Sequence, residues 1–274
     1  MTRTYGPGSD PTGWLRQYHR PPAQGPTLVV FPHAGGSATG YYTLAQALSG
    51  CAEVLNVQYP GRQDRLGEAC VDDIGEMADR VVEALLPRAA RPLVLFGHSL
   101  GSLVAYEVAL RLEGLHPDRA PIGVIVSGRP AAAIHLSRGL SRLADEDLAS
   151  SISDLSGTPP ELLADKDLMS AVLPSLRADF KAAESYRGAA GTRVSCPLYA
   201  YSGAQDHNVP REGLLRWSEH TSSEFTVRFF EGGHFYLQSQ EPEVARALAS
   251  DLRTLATTAL PGRDPVPAGG GRPC

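Results

Sequence analysis

A mostly parallel α/β sheet, covered by helices on both faces and interrupted late by a helical insertion, is the architecture this sequence predicts. Short, continuously apolar runs alternate with amphipathic segments along most of the chain. The alternation stops from about Pro130 to Ala190 and then resumes. Apolar strands separated by helices belong to a parallel sheet buried on both faces. An interruption of that length is too long for a bare loop and predicts an inserted helical subdomain.

The elements follow in order. "TLVVFPH", Thr27 to His33, reads as a buried strand, and "YYTLAQALSG" as a helix stopped by glycine. "AEVLNVQYPG" is a strand again. "DDIGEMADRVVEALL" carries Ile74, Met77, Ala78, Val81, Val82 and Leu85 at helical spacing behind an acidic first turn. "PLVLFG" is a strand, "LGSLVAYEVALRLEG" a helix and "IGVIVSG" a strand. After the insertion come the strand "CPLYAYSG", the helix "REGLLRWSEHT", the strand "FTVRFFEGG" and a last helix from Glu241 to about Leu260. The Pro/Gly-rich tail 261–274 is expected to be disordered.

Composition narrows the function. With 274 residues, 42% hydrophobic and 20% charged, the chain has material for one large domain over residues 1–260. A net charge of -5 without a basic cluster argues against nucleic acid as the main partner. The N-terminus lacks the apolar core of a secretory signal, and no run is long and apolar enough for a membrane span. The four cysteines, Cys51, Cys70, Cys196 and Cys274, show no metal-ligand spacing. A monomeric cytoplasmic protein with reduced thiols and no metal or other cofactor is the expectation.

The chemistry is concentrated in "VLFGHSLGSLVAYE", where a strand becomes a helix through Gly-His-Ser-Leu-Gly. A strand that turns sharply into a helix crowds the positions flanking the corner. Glycine is therefore needed at 97 and 101, and the turn lifts the Ser99 hydroxyl above the sheet. This is the nucleophile elbow of the α/β-hydrolase fold. A serine hydroxyl is a weak nucleophile and needs a base. In an open α/β sheet the site lies beyond the carboxyl ends of the strands. That leaves His33, His207 and His234, since His98 sits beside the serine pointing along the strand. His234, in "EGGHFYL" after the last strand, comes last in the chain, as the order serine, acid, histidine requires. Asp206, in "YSGAQDHNVP", ends a strand between them, whereas "VSGRP" after the preceding strand offers no acid. Ser99, Asp206 and His234 are the expected catalytic triad. The oxyanion hole should use the N–H groups of Leu100 and of Ala34 in "FPHAGGSA", where Gly35 and Gly36 permit close backbone approach. No Gly-Lys-Ser/Thr, HExxH or clustered His/Asp/Glu pattern supports a phosphate loop or a metal.

"FPHAGGSA", "QYPGRQDR", "FGHSLG", "LRADFKAAESY" and "GGHFYL" together resemble the type II thioesterases, free-standing editing enzymes of polyketide and nonribosomal peptide synthesis. The resemblance runs from about Trp14 to Leu255. It implies a triad at Ser99, Asp206 and His234. It also implies hydrolysis of acyl groups from the phosphopantetheine arm of acyl or peptidyl carrier proteins, which clears stalled or misprimed chains. The insertion at 130–190 would then be a lid, its Leu148, Ile152, Leu155, Leu162, Leu163, Leu168, Val172, Leu173 and Leu176 mostly holding it together and partly lining an acyl channel. Arg62 and Arg65, in the loop "YPGRQDR", are candidates for a rim that meets a phosphate or the carrier protein, or equally for helix caps or salt bridges to the lid. The competing reading is a carboxylesterase or peptidase that uses the same triad on free small molecules.

Overall fold

A computed structural model describes residues 10–88, 90–156, 166–189 and 191–259, with the side chains of 152–156 and 166 outside the description. Seven strands form one sheet: β1 (Leu15–Arg16), β2 (Thr27–Phe31), β3 (Glu53–Val57), β4 (Leu93–His98), β5 (Gly123–Ser127), β6 (Leu198–Gly203) and β7 (Phe225–Phe230). Their order is β1-β3-β2-β4-β5-β6-β7. Only β1 runs antiparallel, pairing Leu15 with Val57 at the sheet edge. Every residue of β2, β4, β5 and β6 is buried, which explains their unbroken apolar reading.

Eight helices accompany the sheet among the described residues: α1 (Tyr42–Leu48), α2 (Ile74–Leu85), α3 (Leu100–Leu115), α4 (Asp145–Ser156), α5 (Lys166–Ser185), α6 (Arg211–Leu215), α7 (Tyr236–Ser239) and α8 (Glu241–Ala259). The α2 helix starts where its apolar stripe does, because the Asp73 carboxylate accepts the Glu76 N–H at 2.9 Å as an N-cap. Helices α2 and α3 pack on one face of the sheet around Met77, Val81, Leu103, Val104 and Val108. On the other face, α1 and α8 pack through Leu44, Leu48, Val244, Leu248 and Leu252.

The strand order positions the site. The chain passes from β2 outward to β3, then returns to the other side of β2 for β4. The connections leaving β2 and β4 therefore diverge, and a crevice opens beyond their carboxyl ends. The loop after β2 and the turn after β4 both face it.

Between β5 and β6 the chain forms α4 and α5 and no described strand. Leu148, Leu173 and Leu176 make a small separate core there, with Leu140, Leu143, Met169 and Phe180 around it. Leu168 is exposed. The side chains of Ile152, Leu155, Leu162 and Leu163 lie outside the described residues, as do the tail 261–274 and Cys274. Cys51, Cys70 and Cys196 form no disulfide.

Candidate active site

The serine sits where the sequence places it, at the end of β4 and immediately before α3. Its backbone has φ +53° and ψ -115°, a conformation that L-residues rarely adopt. The surroundings enforce it. The Ser99 N–H donates to the Ser127 carbonyl at 2.7 Å. A Cβ on Gly97 would lie 2.1 Å from the Gly101 carbonyl oxygen, and one on Gly101 would lie 2.1 Å from the Phe31 carbonyl oxygen. Neither position admits a side chain, so the glycines are a packing requirement of the elbow.

The loops after β6 and β7 are pressed together in the same way. A Cβ on Gly203 would meet the Gly233 and Gly232 carbonyls at 2.2 and 2.4 Å. The close approach brings His234 Nδ1 to 2.7 Å from Asp206 Oδ2. A carboxylate only accepts, so Nδ1 carries a proton, and in the neutral ring Nε2 is the nitrogen with the lone pair. The second carboxylate oxygen of Asp206 accepts the Asn208 N–H at 2.9 Å. The Asp206 side chain is fully buried and that of His234 is 11% exposed, a protected pair with one edge open. Ser99 and His234 line one cavity of about 90 Å³, together with Leu136, Leu140, Phe180 and Val209.

Two other histidines lie close by, and burial makes both poor bases. His98 is completely buried, its Nδ1 2.8 Å from the Ser127 hydroxyl, which also meets the Tyr236 hydroxyl at 2.7 Å. Burial, then the nearby His234 and His33, hold its pKa well below the ordinary histidine value. His33 has Nδ1 3.0 Å from the Tyr41 hydroxyl, and burial, then His234 and Arg62, push its pKa down to about 3. His207 is exposed beside Asp206.

The loop after β2 supplies the other wall. Gly35 donates its N–H to Asp179 at 2.7 Å and Gly36 to the His33 carbonyl at 2.8 Å. Those two donors are engaged; Ala34 is the donor expected from the sequence in this loop. Leu100 is the first residue of α3, so its N–H has no acceptor within the helix.

Contrary to the expectation, Arg62 and Arg65 are not rim residues. They are 6% and 5% exposed. Arg62 is bidentate to Asp179 of α5, at 2.8 and 2.9 Å, and also donates to the Gly36 carbonyl at 3.0 Å. Burial opposes its charge, but the Asp179 carboxylate outweighs that and holds the guanidinium above its ordinary pKa. Arg65 braces its own loop through Glu68 and the Gln58 carbonyl and lies over the Trp14 ring. The salt-bridge alternative to the insertion holds for Arg62 alone.

Asp179 was missed by sequence reasoning. It is fully buried and joins α5 to both Arg62 and the loop carrying Ala34. Its signal was available in "LRADF": a carboxylate three residues after Leu176 and four before Ala183, on the apolar face of a helix, must be paired. Leu176 reinforces the same contact, since a Cβ on Gly35 would lie 2.9 Å from its Cδ1. Among the described residues, no His/Cys/Asp/Glu group is placed to hold a metal, and no helix is long and apolar enough to cross a membrane.

A family model described as a thioesterase domain matches residues 26–252. The chain is 41% identical to thioesterase PikA5 of Streptomyces venezuelae over 241 residues, covering 87% of this chain and 85% of that one. It is 32% identical to the gramicidin S biosynthesis protein GrsT of Aneurinibacillus migulanus, covering 82% and 88%. Among solved structures, the type II thioesterase BorB from the borrelidin biosynthetic cluster superimposes with a TM-score of 0.81 at 39% identity, covering 88% of this chain and 98% of that one. The chain belongs to the thioesterase family: it is a type II thioesterase built on the α/β-hydrolase fold, a hydrolase of thioesters.

Proposed function

We propose that this enzyme removes acyl groups from the phosphopantetheine thioester of acyl or peptidyl carrier proteins, editing stalled or misprimed synthases in the cytoplasm. The similarity to proteins named for gramicidin S biosynthesis, the borrelidin biosynthetic cluster and the yersiniabactin NRPS/PKS pathway supports the choice of partner. The observation that carries the mechanism is the strained Ser99, sharing one cavity with a histidine whose far nitrogen is fixed by a buried carboxylate.

In this reading Ser99 Oγ attacks the thioester carbonyl carbon while His234 Nε2 takes its proton. The negative charge on the carbonyl oxygen is held by the N–H groups of Ala34 and Leu100, at the positive end of α3. The C–S bond breaks, and the pantetheine sulfur leaves with the proton from His234. Water, deprotonated by the same nitrogen, attacks the acyl-serine. The acid departs, and the proton returns to Ser99 Oγ. Asp206 holds the ring in the required tautomer and stabilises the imidazolium. The substrate brings the pantetheine arm, and this sequence of steps needs no resident cofactor.

The test is a comparison of acyl groups loaded on carrier proteins with oxygen esters of the same acids. Faster kcat/KM on the carrier thioesters is expected. A clear preference for the oxygen esters, with the loaded carriers left intact, would move the assignment to a carboxylesterase.

A further inference from the structure

The loop after β2 owes its shape to side chains that come from far along the chain. Gly36 donates its N–H to the His33 carbonyl at 2.8 Å, and Gly35 between them has φ +73°. That is the geometry of a type II turn with Ala34 and Gly35 at its centre. Two consecutive glycines leave such a turn many other conformations. The peptide joining Ala34 to Gly35 is the one whose rotation separates a type II turn from a type I turn. Its N–H is the Gly35 donor, which Asp179 holds at 2.7 Å. The Gly36 carbonyl, at the far end of the turn, accepts from Arg62 at 3.0 Å.

One ion pair therefore grips the turn on both sides. Asp179 Oδ2 accepts from Gly35 and from Arg62 Nη1, and the same Nη1 also donates to the Gly36 carbonyl. Stability alone does not account for the pair. Apolar residues of similar volume often serve a fold as well as a buried ion pair does. They would hold neither the Gly35 N–H nor the Gly36 carbonyl. What the charged pair adds is a fixed orientation for the peptide that follows Ala34, the proposed oxyanion donor. Oxyanion stabilisation depends on donors that are already aimed when the charge develops. The helix that supplies the carboxylate also reaches the reacting centre, because Phe180 and Ala183 of α5 line the cavity shared by Ser99 and His234.

We propose that Asp179 and Arg62 are positioning residues for the reaction at Ser99. They hold the 33–36 turn so that the Ala34 N–H is aimed at the substrate carbonyl oxygen, and they make the seating of α5 on the core a condition for a complete oxyanion hole. The proposal rests on the thioesterase reading and on Ala34 as the second donor. Both side chains act through the turn and not on the substrate. Their loss should therefore slow the chemical step and leave ground-state binding alone.

The experiment uses the full chain and two double variants that differ in one respect. Arg62→Met with Asp179→Leu removes the ion pair and leaves the Gly35 N–H without an acceptor. Arg62→Met with Asp179→Asn also removes the charges but keeps an amide oxygen for that N–H. Hydrolysis of an acyl-pantetheine thioester gives kcat and KM. An alkyl trifluoromethyl ketone, whose hemiketal oxyanion on Ser99 occupies the hole, gives an inhibition constant. The leucine variant should lose about 10²-fold in kcat, bind the ketone more weakly by a similar factor and keep KM nearly unchanged. The asparagine variant should recover most of both losses. A folded leucine variant with wild-type kcat and ketone affinity, or equal losses in the two variants, overturns the positioning role. So does a rise in KM with kcat unchanged, which is lost binding and not lost preorganisation. Should the leucine variant unfold, hydrogen exchange in the wild type gives the reading instead. Ketone binding should protect the 33–38 loop and the 175–183 stretch of α5 together, and protection of the loop alone overturns the coupling. A wild type that binds the ketone but leaves acyl-carrier thioesters intact overturns the functional reading and not this one.

Discussion

At the scale of single residues, the site depends on one hydrogen at one nitrogen. Asp206 accepts from His234 Nδ1, and that bond decides which nitrogen faces the serine. Asp206→Asn keeps the shape of the side chain but can present a donor to Nδ1, favouring the opposite tautomer. We expect a fall in kcat of about 10⁴-fold with the fold intact. Steady-state kinetics alongside circular dichroism checks this; near-normal kcat in Asp206→Asn would remove Asp206 from the orienting role. His98 and His33 cannot replace His234, because burial keeps both poor bases.

At the scale of elements, helix α5 is tied to the loop that carries Ala34. The ion pair between Arg62 and Asp179 is buried on both sides, at 6% and 0% exposure. Removing one partner of such a pair leaves an uncompensated buried charge and costs about 3–5 kcal/mol, whereas replacing both by apolar groups is often near neutral. Asp179→Leu alone should therefore destabilise more than Arg62→Met with Asp179→Leu, as read from urea unfolding. An additive cycle would contradict the coupling. The same elements show what the sequence could and could not express. The strands β2, β4, β5 and β6 were legible because burial on both faces writes an uninterrupted apolar run. The elbow was legible because Gly97 and Gly101 are forced by contact with backbone. The edge strand β1 was not, since two residues carry no period; the Asp10 carboxylate, which accepts the Leu15 N–H at 2.6 Å, helps to set it. The choice between rim and salt bridge for Arg62 stayed open in the sequence for a different reason. An arginine in a loop reads as solvated until its partner, Asp179, is brought from far along the chain by the insertion.

At the scale of the whole molecule, the sheet buries a titratable ring beneath its own active site. His98 is held neutral in the folded state and takes up a proton near pH 6.5 when unfolded. Below that pH the unfolded chain binds more protons than the folded one, so this group's contribution to stability is full above about pH 6.5 and is lost as pH falls. The slope is about 1.4 kcal/mol per pH unit. His98→Gln should flatten the fall in unfolding free energy between pH 7 and pH 5 relative to the wild type; parallel curves would contradict a neutral His98. The fold's larger task is to converge β2, β4, β6 and β7 on one serine, and the most direct test follows the acyl group itself. Wild-type enzyme is mixed with an acyl-loaded carrier protein, quenched in acid and examined by intact-mass and peptide mass spectrometry, with Ser99→Ala in parallel. The account predicts a transient acyl adduct on Ser99, and in the alanine variant no adduct and loss of acyl release by about 10⁴-fold or more. Release of the acyl group by Ser99→Ala at the wild-type rate would contradict it.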